Sequence, residues 1–192
     1  MENEVRADDL MLLHKAIEFA AVKHKDQKRK GSQTPYIVHP VEVMLFLTEC
    51  GCSTECVAAG VLHDTLEDTE TTREELVAEF GARIADLVAA ESEDKSKSWQ
   101  ERKQATIDGL RTASAETKMI CLADKLSNLQ SMVYDYARLG ETLWSFFHAD
   151  REKSAWYYRG IINGTKDVKC VLRDKLIENY VKMFGSADGL DV

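Results

Sequence analysis

The chain has 192 residues, 44% hydrophobic and 30% charged, the composition of one globular domain with a single core rather than of a disordered chain. Its formal net charge of −8 argues against a nucleic-acid binder, which needs a basic footprint. No apolar run approaches a membrane span, and the start Met1-Glu2-Asn3-Glu4 is too acidic and polar for a secretory signal; the expected location is therefore cytoplasmic, away from membranes.

Only 2 prolines and 10 glycines interrupt the chain, and nothing alternates with period two, so an all-α single domain is expected. The first helix runs from about Asp9 to Lys25, with Leu10, Leu13, Ala16, Ile17, Ala20 and Ala21 at helical spacing. A basic loop follows, punctuated by Gly31 and Pro35. Pro40 opens the second helix, where a missing N–H is harmless, and Gly51 ends it. Ser53 or Thr54 caps a third helix reaching about Glu67. Thr72 with Glu75, and Ser98 with Glu101, form capping-box patterns for the next two, the second leading into Arg102 to Arg111. Thr117 to Arg138 reads as one long helix, followed by helical stretches over about Glu141 to Ile162 and Val168 to Phe184.

Two clusters carry open alternatives. Cys50, Cys52 and Cys56 raise a zinc site, but there is no CxxC pair and no histidine close by, so reduced thiols are expected. Lys23, His24, Lys25, Lys28, Arg29 and Lys30 fall within eight residues. They are either a local patch for a small polyanion or a solvated helix end whose cations favour the helix dipole.

The stretch Val61-Leu62-His63-Asp64-Thr65-Leu66-Glu67-Asp68 places four ionisable groups within six residues, directly after an apolar run. Helical spacing puts His63 beside Glu67 and Asp64 beside Asp68. Three carboxylates at a helix C-terminus oppose its dipole, a penalty that a bound cation removes. His39 is displayed at a helix start, and Asp124 lies among apolar residues, where a buried carboxylate needs a partner: a metal, or a core lysine or arginine. Two neutral imidazoles and two carboxylates neutralise a divalent cation and suit manganese, iron or zinc, with positions left for water. Glu67 and Asp68 then read as bases that orient this water.

The stretches Arg29-Lys30-Gly31, Thr34-Pro35-Tyr36-Ile37-Val38-His39-Pro40, Leu62-His63-Asp64-Thr65-Leu66-Glu67-Asp68-Thr69, Glu93-Asp94-Lys95-Ser96 and Leu122-Ala123-Asp124-Lys125-Leu126-Ser127-Asn128-Leu129 occur in this order. Together they resemble the HD hydrolase domain of the RelA/SpoT superfamily, most closely its stand-alone members, the small alarmone hydrolases. The resemblance spans about Leu13 to Asn128, more weakly to about Arg159. It implies an all-helical HD-domain bundle and a manganese ion on His39, His63, Asp64 and Asp124, with Glu67 and Asp68 serving the attacking water. It also implies removal of the 3′-pyrophosphate of guanosine tetra- or pentaphosphate, giving GDP or GTP plus pyrophosphate. Arg29 and Lys30 match the basic loop that faces the nucleotide, and Asn128 the asparagine that lines its pocket.

On this reading residues 1–165 form the hydrolase domain and residues 166–192 a C-terminal helical extension. That extension carries Leu172, Leu176, Tyr180 and Phe184 on a face packing on the core or, in a homo-oligomer, on a second subunit. There is no length for the synthetase and regulatory domains of the long enzymes, so hydrolysis alone is expected. Glu91 stands where many such hydrolases carry an apolar residue, which puts the pocket wall, and with it the substrate, in question. The competing expectations are an HD phosphohydrolase acting on a 2′- or 3′-phosphate of another nucleotide or cofactor, and a non-enzymatic nucleotide-binding protein.

Overall fold

The computed structural model describes residues 7–191; the polar start Met1-Glu2-Asn3-Glu4 lies outside the described residues. Helices account for the regular structure: α1 (Ala7–Lys23), α2 (Val38–Glu49), α3 (Thr54–Leu62), α4 (Thr65–Asp68), α5 (Arg73–Phe80), α6 (Ala82–Glu91), α7 (Trp99–Gly109), α8 (Ala115–Leu139), a 3-10 segment (Gly140–Phe146), α9 (Arg151–Gly164) and α10 (Val171–Phe184). The only β pairing among the described residues is one isolated bridge, Lys28 with Pro35. No helix there is long and apolar enough to cross a membrane.

The fold is built around α8, which packs against α2, α3, α6 and α10. Ile120, Leu122, Leu126 and Leu129 of α8 are fully buried together with Leu47, Leu62, Leu76, Ile161, Leu172 and Leu176. Burying one such side chain contributes about 1.5–3 kcal/mol. The last helix thus belongs to the common core through Leu172, Leu176, Tyr180 and Met183; Phe184 is only partly buried, stacked beside Tyr180 and Tyr158.

Local chemistry explains where helices start and stop. The Ser98–Glu101 box closes in both directions. The Thr72–Glu75 box closes in one only: Thr72 accepts from the Glu75 N–H, but the Glu75 carboxylate turns to Lys23 at 2.8 Å. Gly81, at φ 84°, separates α5 from α6 in a conformation that a side chain disfavours. The stretch expected from Glu141 to Ile162 divides into the 3-10 segment and α9, because Asp150 caps a new helix by accepting from the Lys153 N–H. Helix α2 starts at Val38, so His39 and Pro40 both lie in its first turn: the His39 N–H bonds Tyr36 O, and Pro40, which has no N–H, costs the helix no hydrogen bond there.

The expected third helix does not run unbroken to Glu67: it ends at Leu62, and α4 begins at Thr65. Side chains cause the break. His63 Nδ1 lies 2.8 Å from the Gly60 carbonyl, and the Thr65 hydroxyl donates to the Leu62 carbonyl at 2.7 Å. These carbonyls would otherwise accept backbone N–H groups one turn later. The interruption turns His63 and Asp64 together toward α2 and α8.

Helix α3 can approach α2 closely because Gly60 faces it: a Cβ there would stand 2.3 Å from Leu47 Cδ1 and 3.2 Å from Val43 Cγ1. Leu47 and Val43 are fully buried and have little room to yield. Gly60→Ala is expected to destabilise the protein by about 1–3 kcal/mol through overpacking, seen as a lower urea midpoint with an unchanged slope. An unchanged midpoint would show that the contact relaxes freely.

Candidate metal centre

Three helical regions bring the four expected ligands close together. His39 comes from the first turn of α2, His63 and Asp64 from the break after α3, and Asp124 from the middle of α8. A ring nitrogen of His39, one of His63 and a carboxylate oxygen of Asp124 lie within 4.8 Å of one another. His39 Nε2 is 3.2 Å and His63 Nε2 3.8 Å from Asp124 Oδ1. Asp64 joins from the side: its Oδ2 stands 2.9 Å from His63 Nε2 and 3.6 Å from His39 Nε2, and accepts the Tyr36 hydroxyl at 2.5 Å.

These residues fit a divalent cation. Both Nε2 atoms are buried, and neither makes a hydrogen bond of acceptable geometry. Bonds of about 2.1 Å in octahedral or tetrahedral arrangement separate neighbouring donors by about 3.0–3.5 Å, close to the spacings found here. His63 Nδ1 can only donate to the Gly60 carbonyl, which leaves a lone pair on Nε2, the tautomer a ligand requires.

The electrostatics agree. Burial disfavours charge on Asp124, but Lys125 and the two imidazoles outweigh it and hold the carboxyl well below the usual range. Asp64 is likewise lowered against burial, by His63 and His39. His63 is raised despite burial, by Asp64 and Asp124. Both carboxylates are therefore ionised at neutral pH, and a cation has to compete with a proton for the His63 ring.

Beyond the donors, the acidic pair divides. Asp68 bonds Lys95 Nζ at 2.9 Å. Among the described residues Glu67 has no hydrogen-bond partner for its carboxylate, the nearest cations there being Arg102 at 3.8 Å and Lys95 at 4.0 Å. Burial, then the charges of Glu93, Asp68 and Asp64, push the Glu67 carboxyl upward against Lys95.

The Glu93-Asp94-Lys95-Ser96 stretch explains this arrangement. Glu93 turns inward to Arg102 at 2.9 Å and Lys103 at 2.7 Å. Asp94 accepts from Ser96 N and Oγ, closing the turn. Lys95 then reaches back to Asp68 and to the Glu67 carbonyl. Sequence reading did not single out Lys95 or Arg102 for the site; the acid-rich motif around Lys95 was the available signal.

The basic loop is a small hairpin in which Arg29 N bonds Thr34 O and Tyr36 N bonds Gln27 O. It turns Arg29 toward α8, where Nη2 reaches Asn128 Oδ1 at 3.0 Å and Ser131 Oγ at 3.3 Å. Asn128 in turn donates to Asp124 Oδ1 at 2.5 Å, so Arg29, Asn128 and the donor set form one connected array. Lys30 is exposed, its Nζ 5.6 Å above the Phe147 ring. The six basic residues do not make one patch. His24 is buried against Tyr36 and bonds Gln27, and Lys23 is engaged by Glu75.

The partner of Asp124 includes a lysine as well as the imidazoles: Lys125 Nζ contacts its Oδ2 and lies 5.7 Å from the Tyr157 ring centre. A cavity of about 500 Å³ opens beside the centre rather than over it, walled by Glu91, Glu93, Arg102, Thr106, Thr117 and Cys121. Burial pushes the Glu91 carboxyl up to about 7, against the pull of Lys125. The five cysteines form no disulfide.

The HD domain family model matches residues 16–153. The chain belongs to the HD domain family. This HD domain protein is 34% identical over 174 residues to guanosine-3′,5′-bis(diphosphate) 3′-pyrophosphohydrolase MESH1 of Danio rerio, covering 89% of this chain and 93% of that one. Its fold matches the solved structure of lmo0812 from Listeria monocytogenes EGD-e with a TM-score of 0.74 at 36% identity, over 83% of this chain and 100% of that one. It also matches a structure described as a metazoan ortholog of SpoT that hydrolyzes ppGpp and plays a role in starvation responses. That match has a TM-score of 0.77 at 27% identity and covers 88% of this chain and 93% of the other.

Proposed function

We propose that this HD domain protein is a metal-dependent phosphohydrolase that converts guanosine tetra- or pentaphosphate to GDP or GTP plus pyrophosphate. The observation that carries the reading is a convergent, buried His–His–Asp donor set in a chain that aligns along nearly its whole length with a protein named for this reaction. His39, His63, Asp64 and Asp124 hold the cation. Their mixed nitrogen and oxygen donors, without thiolate, suit manganese, the ion the sequence resemblance implies. When bound, the cation supplies Lewis-acid polarisation of phosphate oxygens and lowers the pKa of water.

The protein's own groups do the rest. Glu67 takes the proton of the attacking water, and Asp68, fixed by Lys95, orients it. Arg29 and Lys30 offset phosphate charge through charge-assisted hydrogen bonds, and Asn128 faces the nucleoside. Attraction need only act within about a Debye length of 8–10 Å, which reconciles an acidic protein with a polyanionic substrate.

The test is incubation of the manganese-loaded protein with guanosine tetraphosphate, followed by anion-exchange analysis. Equimolar GDP and pyrophosphate is the expected result; no turnover would overturn the reading. Glu91, an acidic residue beside the centre, favours one second reading: hydrolysis of a phosphate from another nucleotide or cofactor, which orthophosphate as the sole phosphorus product would select.

Removing Arg29 tests the substrate contacts. Arg29→Ala is expected to raise KM for guanosine tetraphosphate about tenfold to a hundredfold, since hydrogen bonds to charged groups contribute about 1.5–3 kcal/mol. Metal affinity should stay unchanged. An unaltered KM would mean that Arg29 only braces Asn128 and Ser131.

A further inference from the structure

His39 and His63 are held by different kinds of partner. Behind His63 stands a neutral backbone carbonyl. Behind His39 stands a side-chain relay: Nδ1 is 2.8 Å from Ser127 Oγ, and the Ser127 hydroxyl donates to Glu42 Oε2 at 2.7 Å. Ser127 is fully buried, and His39 is 1% exposed. Glu42 sits on α2, three residues beyond His39, while Ser127 sits on α8, three residues beyond Asp124.

A serine hydroxyl carries one proton, and an ionised carboxylate can only accept. With that proton committed to Glu42, Ser127 Oγ offers His39 only lone pairs. His39 must then donate from Nδ1 and present a bare Nε2 toward Asp124 and Asp64. The Glu42 charge, passed through the polarised hydroxyl, also makes this ring the more electron-rich of the two, as a carboxylate behind a ligating histidine does. We infer that Ser127 and Glu42 are positioning residues: they fix the tautomer and orientation of His39 and thereby strengthen cation binding. The relay also pins α2 to α8 at the level of the donor atoms, so the spacing between His39 and Asp124 does not depend on the cation.

This inference rests on the metal-site reading above, and its test separates the two. Mn²⁺ binding is measured by calorimetry on the wild type, Ser127→Ala and Glu42→Ala, with nitrogen-15 NMR of the histidine rings and thermal melting alongside. Ser127→Ala should weaken Mn²⁺ binding about tenfold to a hundredfold, the usual effect of deleting such an outer partner. Its His39 ring signals should move from a single Nδ1–H form to a mixture. Glu42→Ala should shift both in the same direction by less, and, because it removes a partly exposed group, without unfolding the protein. His63 signals should hold still in both. Wild-type affinity together with an unchanged His39 tautomer in Ser127→Ala and Glu42→Ala would overturn the inference alone. Failure of the wild type to bind Mn²⁺ would overturn the metal-site reading and the inference with it.

Discussion

Asp124→Asn is expected to lose the cation and with it the activity. The substitution keeps the shape of the side chain and removes its charge, so the remaining donors carry one negative charge fewer toward a divalent ion. The loss of affinity should exceed the about 10–100-fold typical of changes one step outside a ligand set. At micromolar Mn²⁺, turnover should fall at least in proportion.

A second effect must be kept apart from the first. Lys125 Nζ contacts the Asp124 carboxylate, and its side chain is 15% exposed. Neutralising Asp124 leaves that ammonium poorly paired, a loss on the order of 3 kcal/mol when one partner of a buried pair is removed. Asp124→Asn should therefore melt at a lower temperature. Adding Lys125→Met removes the orphaned charge, and the double variant should recover most of the stability and none of the metal binding. Wild-type Mn²⁺ affinity in either variant would sink Asp124 as a ligand.

What the sequence disclosed was local or motif-borne. Caps at Ser53, Thr72 and Ser98 are readable because both partners lie within four residues. Asp124 is readable because a carboxylate flanked by Leu122, Ala123 and Leu126 has to face inward on a helix. The break after Leu62 was hidden, since it depends on His63 and Thr65 donating to carbonyls that a helix would use itself. The Ser127–Glu42 bond joins residues 85 apart, and no spacing rule reaches that far. The basic run does not act as a unit, for a geometric reason: at about 100° per residue the end of α1 points its neighbours in different directions. His24 therefore enters the core, Lys23 meets Glu75, and Arg29, beyond the helix, alone turns to Asn128.

The sequence also treated Glu67 and Asp68 as equals, and the structure separates them. A base must have a lone pair to spare. Asp68 spends one oxygen on Lys95 at 2.9 Å, and Glu93, more buried still, is engaged by Arg102, Lys103 and Thr106. The Glu67 carboxylate bonds none of these, and burial with three neighbouring carboxylates moves its pKa toward neutrality, where a general base works best. Glu67→Gln is accordingly expected to lower kcat about a hundredfold to a thousandfold, with Mn²⁺ affinity within about threefold of wild type, the scatter ordinarily found for single interactions. Asp68→Asn, which disturbs orientation and not proton acceptance, should lose about tenfold or less. The pH profile adds a signed check. As pH falls and Glu67 protonates it stops acting as a base, so kcat falls on the acid side; the charge of a bound cation opposes the upward shift that burial and the neighbouring carboxylates impose. The acid limb of kcat in the wild type should report Glu67 and disappear in Glu67→Gln. Equal losses in the two variants would return the acids to equal standing, and full turnover in Glu67→Gln would assign the proton to another group.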